Sequence, residues 1–347
     1  METEEQSAVM AENASPELPA PENTGEENIK PARKAFCFSQ LNLAIFYCIY
    51  LAVAFLVLLF IPDEHSEAVD YLAHYIPMYL VAFPLYLLIS KPLETAKPEK
   101  QKMSFLQLLK AFCVCEFVGV AGNFIGIFVN IILSVLMKQQ TASTMLVDGI
   151  FGDNALLFLF IAVICAPIVE EMLFRKVLID RIRKYGNRIA ILISGIMFGL
   201  FHGNFTQVFY AAFLGMLFAF IYIRTGKIQY TIGLHMTVNF WGTAMPYIAM
   251  RNKDLNEIIE ALSSMDVSKL IGLISDLKYL LMVSAGTYTF ALAGLIIFIL
   301  HRRDLKVDPA IAPLPKGKRF VTACCNIGCL ALLAVCAVRF LQQLGIM

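Results

Sequence analysis

The sequence predicts an all-α fold, a polytopic transmembrane bundle of about eight or nine spans. Three observations predict it. Of 347 residues, 59% are hydrophobic and 16% charged, with a mean hydropathy of +0.69; soluble domains average roughly 45–50% apolar and about 25% charged. Apolar runs near the length of about 20 residues needed to cross a bilayer recur between short charged stretches. Lysine and arginine concentrate in alternate connections, as cytoplasmic loops require. Backbone polar groups in lipid must be satisfied within the segment, so helices are the expected elements. This composition excludes a disordered chain and a small disulfide scaffold. A net charge of +1 gives nucleic acid no electrostatic footprint.

Residues 1–34 form a polar leader with eight Glu and several Pro. They lack the basic and apolar regions of a signal peptide and are expected to be a disordered, solvated tail. Residues 35–347 are the transmembrane domain. Lys30, Arg33 and Lys34 place the N-terminus in the cytoplasm, ahead of a first span near 41–61. The loop 62–70 has no Lys or Arg, and a second span follows near 71–90. Lys91, Lys97, Lys100 and Lys102 return the chain to the cytoplasm. The third run, 107–137, is overlong and carries Lys110 and Glu116, so its start is expected to be amphipathic. Lys138 is the single cation in 138–154. Spans near 155–176 and 189–204 flank the basic group Arg175–Arg188, with Tyr185-Gly186-Asn187 as a tight turn. Spans near 206–223 and 228–250 flank Arg224 and Lys227. The last two, 279–300 and 320–343, flank six cations from Arg302 to Arg319. The loop 251–278 breaks the pattern with four cations; apolar spacing at Leu255, Ile258, Ile259 and Leu262 predicts an interfacial helix over 254–277. The nine cysteines lie mostly in apolar runs and read as small hydrophobes.

Ionisable groups inside apolar spans are costly and mark function by default. Three clusters stand out. In Pro167-Ile-Val-Glu170-Glu171-Met-Leu-Phe-Arg175, Glu171 and Arg175 share a helix face and can pair. That leaves Glu170 as an unpaired, desolvated carboxylate suited to general-base work. Pro167 predicts a kink and a freed carbonyl. Phe198 and His202 lie one turn apart, as do His235 and Asn239. Each cluster alone has an ordinary explanation: a charged helix end, a histidine on a backbone carbonyl, an interhelical hydrogen-bond pair. Jointly they do not. Glu170 and His202 are symmetric about Gly186, so both lie on the order of 20 Å from that turn. His235 fits less neatly, about 10 Å from its helix start.

These residues, Glu170-Glu171-x-x-x-Arg175, Phe198-x-x-x-His202 and His235-x-x-x-Asn239 in order on three apolar helices, resemble the CPBP family. These are CAAX proteases and bacteriocin-processing (Abi) proteins, intramembrane proteases related to the type II CAAX prenyl endopeptidase. The resemblance covers about residues 150–245. It implies endopeptidase cleavage of a membrane-associated or prenylated peptide, with the bilayer and a peptide or membrane protein as partners. It implies that Glu170 is the base and that Glu171, Arg175, His202, His235 and Asn239 complete the site. Two mechanisms are compatible with it. In one, zinc is held by Glu170, His202 and His235. In the other no metal is needed: Glu170 and His202 activate water, while His235 and Asn239 stabilise the oxyanion. The absence of a His-Glu-x-x-His pair favours the second. A proton-coupled carrier, or a non-catalytic scaffold, is the competing reading of the same buried charges; no internal repeat supports a carrier.

Overall fold

The computed structural model describes residues 25–62, 64–138, 152, 154–250 and 267–346. Among them the chain is helical throughout, with no strand. In order the helices are α1 (Glu26–Leu58), α2 (Ala68–Ser90), α3 (Phe105–Met137), α4 (Ala155–Tyr185), α5 (Asn187–Phe201) and α6 (Val208–Thr225). Then come α7 (Ile228–Asn239, continued by Phe240–Ala244 and Met245–Met250), α8 (Val267–His301), α9 (Arg319–Cys324) and α10 (Ile327–Gln343).

All nine expected apolar segments are helical, but fewer are long enough to span. Among the described residues six helices qualify, or seven if α9 and α10, bent by 54°, count as one crossing. Helix α5 is the clearest correction. Its 15 residues rise only about 22 Å, short of a hydrocarbon core of about 30 Å. Helix α7 is also not among the six. The tail boundary moves as well: α1 starts with a 3-10 turn at Glu26 and is α-helical from Ile29, within the segment expected to be disordered, while residues 1–24 lie outside the described residues. So does most of the expected interfacial helix; residues 267–277 instead begin α8.

The apolar surface faces outward. Phe60 is 87% and Phe105 81% exposed, as helices in lipid require. The inward faces join α1, α2, α4, α5 and α10 in one core, with Phe36, Phe46, Phe174 and Phe198 fully or nearly fully buried. Two features of α5 position the site. Gly195 and Gly199 form a small-residue face against α6, where a Cβ on either would meet Ala212 at 2.8 Å; with no hydrophobic force between helices in lipid, such close backbone approach drives the pairing. Gly186 forms the expected turn between α4 and α5, its N–H bonded to Arg183 O at 3.0 Å.

Candidate active site

Helix α4 carries both glutamates between two π-helical stretches, Ile161–Cys165 and Met172–Val177. Such stretches widen the turn, free carbonyls and are common at functional sites. Here the carbonyls are taken up. Pro167 has no N–H to return to the preceding turn, and Ala162 O accepts from Asn239 Nδ2 of α7 at 2.8 Å. Phe174 O accepts from Ser194 Oγ of α5 at 2.8 Å. Helices α5 and α7 are thereby tied to the segment holding Glu170 and Glu171.

The buried half of the site is a chain of charges. Glu171 and Arg175 are both 0% exposed, with Arg175 Nε 3.1 Å from Glu171 Oε2. The contact is one of charge: it lacks hydrogen-bond alignment, and no side-chain nitrogen of Arg175 has a hydrogen-bond partner. The guanidinium lies instead between two rings, 4.4 Å from the Phe198 centroid and 5.5 Å from that of Phe218; ring faces attract a cation strongly where water is excluded. The other oxygen of Glu171 accepts from His235 Nδ1 at 3.0 Å. This bond fixes the His235 tautomer and leaves Nε2 as the free nitrogen.

His235 Nε2 faces Glu170 Oε2 at 3.6 Å. Glu170 is therefore not the isolated carboxylate the sequence suggested, and His235, expected at a different depth, reaches both glutamates. At this separation the pair is too long for a direct hydrogen bond. Two lone pairs face each other unless a proton or a water lies between them.

The open half is a cavity of about 140 Å³ lined by Glu170, His202, Tyr47, Tyr50, Phe198 and Arg339, among others. His202 Nδ1 bonds to Phe198 O at 2.9 Å, satisfying that nitrogen within its own helix. Phe198 meets His202 edge-on at 4.9 Å and His235 at 5.7 Å, besides lying over Arg175. One ring thus sets the spacing of three site residues.

The structure brings Glu170, Glu171, Arg175, His202 and His235 together. Asn239, on the same helix as His235, commits one amide hydrogen to Ala162 O, the interhelical role open to it from sequence. Sequence reasoning missed Arg339 and the tyrosines. Arg339 is a cation in the apolar run 320–343, so the rule that singled out Arg175 applied to it equally. Among the described residues no three His, Cys, Asp or Glu side chains converge as a metal-ligand set.

Residues 152–241 match the type II CAAX prenyl endopeptidase Rce1-like family. The chain is 26% identical over 175 residues, 48% of its length, to "Putative membrane peptidase YdiL" of Bacillus subtilis strain 168, covering 68% of that protein. It is 26% identical over 185 residues, 51% of its length, to "Membrane-embedded CAAX protease MroQ" of Staphylococcus aureus strain USA300, covering 73% of that protein. No solved structure matches the chain.

Proposed function

We propose that Glu170 is the general base of an intramembrane endopeptidase, a reading supported by the match of residues 152–241 to the Rce1-like CAAX prenyl endopeptidase family and by the membrane-length apolar helices around them. The observation that supports this most directly is the division of labour at His235. Its Nδ1 is held by Glu171 while its Nε2 is turned toward Glu170, 23% exposed in a cavity shared with His202.

Hydrolysis then follows from the donors and acceptors in place. A water between Glu170 and His202 loses its proton to the Glu170 carboxylate as its oxygen attacks the peptide carbonyl carbon. His202, with Nδ1 donating to Phe198 O, offers Nε2 to orient that water. The tetrahedral oxyanion needs a donor; His235 serves when its Nε2 carries a proton. Collapse breaks the C–N bond, and the proton on Glu170 passes to the departing amine. Every proton is conserved within Glu170, the water and the products. The substrate is a membrane-associated or prenylated peptide, reached with the N-terminus on the cytoplasmic side. Zinc bound by Glu170, His202 and His235 is the competing form of this proposal.

The test is cleavage of a prenylated fluorophore–quencher peptide by purified, reconstituted protein. Turnover by wild type, its loss in Glu170→Ala, and indifference to a chelator support the proposal. Persistent turnover in Glu170→Ala removes Glu170 as base. Turnover lost on chelation and restored by zinc selects the metal form. Gradient-driven flux without cleavage identifies a carrier instead.

A further inference from the structure

Among the described residues Arg339 is the one arginine or lysine lining the cavity, and it comes from α10, outside residues 152–241 that match the family. Its placement is built. Gly203, with φ +68°, directly follows His202, and a Cβ there would lie 2.8 Å from Arg339 Cβ and 3.5 Å from its Nε. The absent side chain at 203 is what lets the arginine stem pass beside the histidine. Helix α10 is clamped at the same turn: Phe205 N–H donates to Gln343 Oε1 at 2.8 Å, and the Phe205 and Phe340 rings lie 4.7 Å apart.

The guanidinium itself is not tied down. Among the described residues Arg339 enters no ion pair; the carboxylates that do pair are Asp70, Glu171, Asp180, Glu94 and Glu170, each with another residue. An arginine within an apolar span is costly unless something offsets its charge. Glu170, across the cavity, already faces His235. A planar five-donor fork matches a carboxylate bidentately. Tyr47 and Tyr50, on α1 beside it, add hydroxyls to the same wall.

We infer that Arg339 is a specificity-determining residue that receives a carboxylate of the peptide substrate while the scissile bond sits at Glu170 and His202. This rests on the endopeptidase reading above. The carboxylate has two sources of the same chemistry: the substrate's C-terminus or an Asp or Glu side chain near the cleaved bond.

The experiment uses the full chain in liposomes and a prenylated fluorescent peptide with one Asp after the cleaved bond. It is made in four forms: free acid or amide at the C-terminus, each with Asp or Asn. Wild type should show a KM lower by about thirtyfold or more for the forms bearing the recognised carboxylate, with kcat changed little. Arg339→Gln should erase that preference by raising KM for those forms alone. Arg339→Lys should restore part of it, keeping charge without the fork. The free-acid and Asp arms identify the source. A melting temperature of Arg339→Gln in detergent close to that of wild type shows that the variant folds. Equal KM for all four forms in wild type overturns the inference and leaves the Glu170 reading standing. So does an equal loss of kcat on every form in Arg339→Gln. Binding of the four peptides to Glu170→Gln, read by anisotropy, keeps the two readings separable. A carboxylate preference that depends on Arg339, without turnover in wild type, retains the site and rejects the protease.

Discussion

The two halves of the site are built on opposite principles. The Arg175–Glu171–His235 half is dry: its carboxylate and guanidinium are wholly buried, and each group is fixed by the next. The Glu170–His202–Arg339 half is open: Glu170 is 23% exposed, its contact to His235 is 3.6 Å, and Arg339 has no ion pair among the described residues. Adjacent residues of one helix, Glu170 and Glu171, thus sit in opposite surroundings. The lesson is that in lipid a charge can be structural only if fully surrounded, and reactive only if one side is left unfilled.

Variants can break that contrast. The largest effect is expected for Arg175→Met, which leaves Glu171 as a buried charge against His235 alone; a loss of about 3–5 kcal/mol should appear as reduced thermal stability in detergent and low folded yield. Pairing it with Glu171→Gln should recover much of the stability but not the turnover. Glu170→Gln should do the reverse, lowering kcat by about 10²–10⁴-fold with little change in melting temperature. If instead it melts like Arg175→Met, the two halves are not distinct. His202→Gln should cost turnover about 10²-fold, with binding of an uncleaved peptide retained. Smallest is Ser194→Ala, about 1 kcal/mol for the lost bond to Phe174 O, measured by the same melts.

Much of this was legible in the sequence. Hydropathy alone located all nine helical segments, because in lipid the apolar run and the helix coincide. The α4 cluster was legible because charge in such runs is rare and i, i+4 spacing fixes a shared face. Other features needed the third dimension. Helix α5 was counted as a span although the expected segment, 189–204, is about as short as the helix found; Gly203 and the Asn204–Gln207 turn end it. His235 reaches the glutamates through relative helix heights, which no spacing encodes. Arg339 follows the same rule as Arg175, yet nothing local links it to His202, since α10 joins that turn across 138 residues of sequence.

That distance has a consequence for biosynthesis. The ribosome makes Glu170, His202 and His235 well before α10, and the cavity wall bearing Arg339 exists only once Ile327–Gln343 has been inserted beside α1. A chain assembled in this order carries Glu170, His202 and His235 through translation with one wall of the cavity missing.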